Sequence, residues 1–269
     1  PQSLQGARRL AQLIRDLEGQ RKARLAEAAA WFEDQGVETT VVSATGRASS
    51  QILEHLSPCG ADLLLMGKRG SRLTERFSLG STTRRVLRRS KVPTLVVPRG
   101  DPSDAPAEPL RGKRIISATA FSAACLMALD ATLELAELLE CHVDYVNVFR
   151  LPVPFALTAA QWPALLSGGT LEEMEHMGIR DLTDQIGPDR ATRCSPSTTV
   201  GVSVSEAIRD LAVETDADLV AVPSHSTERE HPPLFGSTAR RIVKRSRVPV
   251  LVYPVRYLER RFGLPRGEG

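Results

Sequence analysis

At 269 residues and 29.3 kDa, with 42% hydrophobic and 25% charged residues, the chain has apolar surface for two ordinary cores or one large one, which excludes disorder and a coiled coil. No stretch reaches the roughly 18–20 uncharged apolar residues of a spanning helix, and the opening PQSLQGARRL lacks a basic-then-apolar leader, so a cytoplasmic protein with no membrane partner is expected. A net charge of +3 and 4% aromatic residues argue against a platform that stacks single-stranded nucleic acid.

Residues 7–34 carry Leu10, Leu13, Leu17, Leu25 and Phe32 at helical spacing, with Trp31 beside them, and this stripe is expected to pack into a core. A strand over 37–43, a helix around Gln51 and a strand over 62–66 follow. A loop with glycines then leads into a helix over 82–89 and a strand over 92–97. Residues 99–112 hold Pro102, Pro106 and Pro109 without apolar periodicity and read as a connector. Beyond it come a strand over 113–119, a helix over 123–140, a strand over 143–149, a proline-containing loop over 151–169 and a helix over 171–186. A strand ending near Val200, a helix holding Ile208, a strand over 218–222, a helix from Gly236 and a strand over 248–253 complete the chain's regular elements.

Shifted by 156 positions, the chain matches itself without a gap: Ala61-Asp62-Leu63 meets Ala217-Asp218-Leu219, Gly80-Ser81-Thr82 meets Gly236-Ser237-Thr238, and Val92-Pro93 meets Val248-Pro249. The chain therefore divides into a domain over 1–100, a linker over 101–112, a second domain over 113–256 and a basic tail over 257–269. Strands alternating with helices, without hairpin signals, predict α/β units with parallel sheets and helices on both faces, and five strands fit each unit. The first unit lacks the opening strand–helix–strand; the chain starts at Pro1 rather than Met, and the missing part is expected to lie before residue 1.

The first unit's strand 62–66 runs into Gly67, Gly70 comes three positions later, and nine residues separate it from Gly80-Ser81-Thr82. Glycines at the carboxyl end of a parallel strand let backbone approach a phosphate, and a helix opening at Gly80-Ser81 offers N–H groups and a dipole to an anion. The plain alternative is a strand–loop–helix turn with a helix cap. Walker-type and dinucleotide loops, G-x-x-x-x-G-K-[ST] and G-x-G-x-x-G, are absent.

This G-x2-G-x9-G-S spacing, followed by VPTLVVP, resembles the ATP-binding branch of the universal stress protein family, and the repeat makes the chain similar to a tandem member. The resemblance implies two doubly wound five-stranded domains of strand order 3-2-1-4-5, with ATP and Mg²⁺ at the switch point of strands one and four. By matching position, Met66, Gly67, Gly70, Gly80, Ser81 and Thr82 would hold the phosphates and ribose, and ATP would order the loop over 68–79. The family's Asp after the first strand falls outside this sequence in domain one. Domain two has Pro223 and Ser226 in place of Gly67 and Gly70, and Ala120 where that Asp would stand. Thr119, Gly236, Ser237 and Thr238 form its degenerate counterpart, able to take a phosphate or another small ligand but not ATP in the family's manner.

The resemblance thus implies an ATP-binding regulatory or protective module in the stress response, nucleotide-competent in domain one and structural in domain two, with at most slow ATP hydrolysis. The last strands, 92–97 and 248–253, would pair the two copies as a built-in dimer, and a chain-to-chain homodimer stays open. The competing readings are a scaffold for a partner protein or non-nucleotide ligand, and an adenylate-forming enzyme of the related alpha-hydrolase fold. The latter needs a Gly/Ser-rich loop at its first strand, whereas IISATAFSAAC has no glycine. No catalytic residue and no metal ligand set is singled out: the five histidines are scattered, and His225 and His231, near Glu228 and Glu230, read as a solvated loop. Cys59, Cys125, Cys141 and Cys194 form no CxxC pair and are expected to be buried, reduced thiols. Basic clusters end the two repeat helices, Arg84, Arg85, Arg88, Arg89 and Lys91 in one, Arg240, Arg241, Lys244, Arg245 and Arg247 in the other. Cations in a helix's last turn suit its dipole, so no nucleic-acid partner is expected from them.

Overall fold

The computed structural model describes residues 2–69, 79–98, 114–150, 170–225 and 235–263. The chain forms two compact units, residues 1–51 and 52–269. The first holds α1 (Gln2–Asp34), a segment without regular structure, and the start of α2 (Ala48–Leu56), which continues into the second. Contrary to the expected core stripe, Leu13, Leu17, Leu25, Trp31 and Phe32 are exposed; the side chain of Leu10 lies outside the described residues. The physical reason is the lack of a sheet: no strand is present among the described residues of this unit for the stripe to bury against. The same lack overturns the expected strand over 37–43. That segment pairs with no strand among the described residues, and Val37, Val41 and Val42 are exposed.

The second unit is built on a seven-stranded sheet of β1 (Leu64–Gly67), β2 (Thr94–Val97), β3 (Arg114–Thr119), β4 (His142–Arg150), β5 (Ser195–Gly201), β6 (Leu219–Pro223) and β7 (Val250–Tyr253). Their order is β1-β2-β7-β6-β3-β4-β5. The last five run parallel and, counted within their own half, have the expected order 3-2-1-4-5. Strands β6 and β7 are buried along their whole length, as central parallel strands covered on both faces should be. Strand β1 ends the sheet with alternate residues exposed.

Strand β2 pairs with β1 in parallel and with β7 antiparallel, so the two halves share one sheet. The antiparallel register is centred on Leu95 opposite Leu251, which are repeat equivalents 156 positions apart. A pseudo-two-fold axis therefore passes through that pair.

Helices α4 (Ala123–Leu139) and α5 (Thr170–Ala191) cover one face. Ser122 caps α4 by accepting from the Cys125 N–H, and Glu140 ends it in the left-handed conformation. Helix α5 kinks at Gly187-Pro188, where the helical periodicity of the sequence also stops. The other face carries α3 (Ser81–Leu87), α6 (Val204–Glu214) and α7 (Ser237–Arg245), whose Leu87, Ile208, Ala239 and Ile242 share a cluster with Val96, Val250 and Val252.

The segment from 257 is not simply a tail. Residues up to 262 belong to α8 (Val255–Phe262), which buries Leu258 on the α4 face and stacks Tyr257 on Tyr253 at 6.4 Å. Arg261 pairs with Glu134, and Arg260 Nη2 donates to the Lys91 carbonyl of the first half at 3.0 Å.

The two axial leucines differ in burial, Leu251 at 3% exposure within the cluster and Leu95 half-buried against it. Leu251→Ala is expected to lower stability by about 3 kcal/mol and Leu95→Ala by clearly less, as read from urea denaturation midpoints.

Candidate functional site

The site read from the glycine spacing lies at the carboxyl end of β1. The Gly80 N–H donates to the Lys68 carbonyl at 3.0 Å, the Lys68 N–H donates to the Val97 carbonyl at 2.7 Å, and the Thr83 hydroxyl donates to the Gly67 carbonyl at 3.0 Å. These bonds pin both ends of the loop, so Met66 and Gly67 stand beside the start of α3, where Ser81 and Thr82 open the helix. Among the described residues no side chain caps α3, whose first turn opens with backbone N–H groups. Gly70 lies outside the described residues.

The second half repeats this frame bond by bond. Gly236 N–H donates to the Ser224 carbonyl at 2.8 Å, and Ser224 N–H to the Tyr253 carbonyl at 2.7 Å. Ser90 and Ser246 each close the turn after their helix by donating to a carbonyl two residues on, at 2.7 and 2.6 Å. A Cβ on Gly80 would lie 3.2 Å from the Lys68 carbonyl oxygen, and one on Gly236 would lie 3.1 Å from that of Ser224. The glycine of the Gly-Ser-Thr triplet is thus favoured by close backbone approach in both halves, independently of any ligand.

A Cβ on Gly67 would likewise lie 3.3 Å from the Arg69 carbonyl oxygen, yet the same frame carries Pro223 at that position in the second half, within β6. Thr119 also departs from the expected grouping with Gly236, Ser237 and Thr238. Along β3, Ile115 faces the α4 side and Ile116 the α7 side, so Thr119 points away from α7. There its hydroxyl accepts from the Tyr145 hydroxyl at 2.7 Å and from the Phe121 N–H at 3.1 Å, and its carbonyl accepts from Asn147. Tyr145 is fully buried, and burial raises its phenol well above the usual range.

Comparison with known proteins follows the same division. The profile of the universal stress protein family matches residues 1–98 and 112–254. The chain belongs to the universal stress protein family. It is 43% identical over 77 residues to universal stress protein Sll1654 of Synechocystis sp., a match covering 28% of this chain and 49% of that protein. The chain thus spans about half the length of this curated relative. Among solved structures, a universal stress protein from Archaeoglobus fulgidus superposes with a TM-score of 0.59 at 18% identity, over 90% of this chain and 78% of that one. A protein of the same description from Pseudomonas aeruginosa UCBPP-PA14 gives 0.58 at 15% identity, over 89% and 81%. At such identities these two likenesses speak for the fold.

Within this family frame one residue stands out that the sequence reading passed over. Lys68, beside Gly67, is buried to 6% exposure, and its Nζ donates to the Ser246 carbonyl at 3.0 Å, at the end of α7 in the other half. The repeat pairs it with Ser224, whose hydroxyl accepts from the Val255 N–H. A lysine matched to a serine was the available signal. Desolvation, with Arg69 as a smaller like-charge contribution, lowers its pKa from 10.5 to about 8.

Among the described residues no group of acidic, histidine and cysteine side chains could hold a metal, and no helix is long and apolar enough to cross a membrane. His231, Glu228 and Glu230 lie outside the described residues. Cys125 and Cys194 are buried and Cys141 half-buried, but Cys59 is exposed, because it sits in the surface turn after α2. Burial raises the Cys194 thiol to about 11.

Two outcomes are expected. Gly80→Ala and Gly236→Ala should each cost about 1–3 kcal/mol in urea unfolding, since a backbone carbonyl must give way in both halves. For Lys68, the folded pKa lies below the unfolded one, so between about pH 8 and pH 10.5 the unfolded chain holds a proton the folded chain has released, and stability rises with pH there. Lys68→Met should abolish that rise, read as the difference in unfolding free energy between the two proteins at about pH 7.5 and about pH 10.

Proposed function

We propose that the first half of this universal stress protein is a nucleotide-binding regulatory module, taking ATP with Mg²⁺, and that the second half is its structural partner. The observation that carries the reading is the contrast at one position of a shared frame. Gly67, where Pro is tolerated in the second half, keeps bare backbone beside an uncapped helix start. Ser81 and Thr82 would add hydroxyl donors to the phosphates, and Gly70 would let the loop close over them. In the second half Pro223 removes an N–H, and Thr119 is turned into a hydrogen-bonded network on the opposite face. The reading needs binding, not turnover, and takes the chain as a cytoplasmic responder in which ATP orders the loop over 68–79 and so alters the seam between halves. A homodimer would have to use a surface other than β2 and β7, which already occupy one another.

The scaffold reading, without nucleotide, draws support from Gly80, whose glycine is explained by packing alone. Calorimetry with ATP and Mg²⁺ separates the two. Gly67→Pro places in the first half the residue the second half carries; the Arg69 carbonyl oxygen, 3.3 Å from the new Cβ, must shift slightly, so the protein should fold with a small loss in melting temperature while ATP binding falls by at least about tenfold. Undiminished binding in a folded Gly67→Pro protein would exclude this site, and no binding to the unaltered protein would favour the scaffold.

A further inference from the structure

Lys68 places a positive charge where the surrounding protein supplies no negative one. Its side chain is buried, its Nζ donates to the neutral Ser246 carbonyl at 3.0 Å, and no carboxylate pairs with it among the described residues. The elements about it are uncharged where they face inward. Strands β1, β2 and β7 carry only Leu, Met, Gly, Thr, Val and Tyr; α3 buries Thr83, Val86 and Leu87, and α7 buries Ala239, Ile242 and Val243. The charged groups flanking the two ends of the bond are cations, Arg69 after Lys68 and Arg245 and Arg247 on either side of Ser246. Glu206, the carboxylate beside that end of α7, is engaged by Arg245. A buried ammonium without a counter-ion is destabilised, and its pKa is lowered to about 8.

The charge stands in one half only. At the matching position the second half has the neutral Ser224, next to Pro223, so the cation accompanies Gly67. Lys68 also belongs to the frame of the crevice at the end of β1. Its carbonyl accepts from the Gly80 N–H and its own N–H donates to the Val97 carbonyl, which fixes its backbone between Gly67 and the start of α3. Resting on the nucleotide reading of that crevice, we infer that Lys68 supplies the counter-charge for an anionic ligand bound there, and that binding is coupled to uptake of a proton from solvent by its amine. Because Nζ is turned to the seam, Lys68 acts on the phosphates through the protein and does not touch them. A lysine side chain spans about 6 Å, so the ammonium stays within about 10 Å of the crevice, where charges in a low-dielectric wall still interact with little screening. Near pH 8 the amine is present in both forms, and a nearby anion favours the charged one. Lys68 is thereby a specificity-determining residue, one that favours a polyphosphate over a neutral nucleoside.

The test is titration calorimetry of the whole chain with ATP and Mg²⁺ at about pH 8, in Tris and in HEPES, whose different ionisation heats report the protons exchanged. Uptake of about 0.3–0.5 proton per bound nucleotide is expected, with affinity falling by about tenfold between about pH 7 and about pH 10. Lys68→Arg keeps a cation that does not titrate there. It should bind ATP at about pH 7 within about threefold of the unaltered protein, yet take up no proton and lose less than about threefold in affinity by about pH 10. Lys68→Met should also take up no proton, and its affinity at about pH 7 should fall by about three- to tenfold. A purely structural role for Lys68 would leave proton uptake unchanged in both variants. That result, or ATP binding to the unaltered protein without proton uptake, would overturn the proposal and leave the nucleotide reading standing; absence of ATP binding would overturn both.

Discussion

Two edge strands that each lack a neighbour hold this molecule's larger unit together by taking one another. Strand β2 and strand β7 each close a half, and left open each would present a row of unpaired N–H and C=O groups to any passing strand. Their antiparallel pairing satisfies both rows, merges the two half-sheets into one, and sets α3 and α7 on a common face. The register admits little alternative, because a slip by one residue would turn Val250 and Val252 away from the cluster they share with Val96. Helix α8 adds a second fastening through Arg260 and the Lys91 carbonyl.

The repeated frame separates what the fold needs from what a ligand would use. Gly80 and Gly236 sit under a carbonyl, and Ser90 and Ser246 close matching turns, so their presence in both halves says nothing about binding. Differences inside the frame are more informative: Gly67 against Pro223, Thr83 against Ala239, and Lys68 against Ser224. Of these, Thr83 anchors the loop by its bond to the Gly67 carbonyl, an anchor that Ala239 cannot reproduce.

Much of the architecture was legible because it rests on local pattern and on self-similarity. The offset between Gly80-Ser81-Thr82 and Gly236-Ser237-Thr238 fixed the shared frame, and the apolar runs of β6 and β7 marked buried parallel strands. Where the reading depended on a partner element, it failed. The leucines of α1 have helical spacing, but spacing cannot state that a sheet is present to receive them, and the segment over 37–43 has strand composition without a strand beside it. Sequence position alone groups Thr119 with the start of α7, whereas the side-chain alternation of β3 turns it to the other face. Long-range neighbours such as Lys68 with Ser246 leave no local trace.

The ammonium of Lys68 under the end of α7 illustrates what covalent fusion allows. Two identical subunits meeting across an axis must accept any change twice, and a charged group placed near their seam would come with a second, equally desolvated and repelling the first. Here the equivalent place holds the small hydroxyl of Ser224, so one charge occupies a junction that a symmetric assembly could not populate singly. Duplication followed by linkage frees each side of the axis to drift chemically while the backbone about it stays the same.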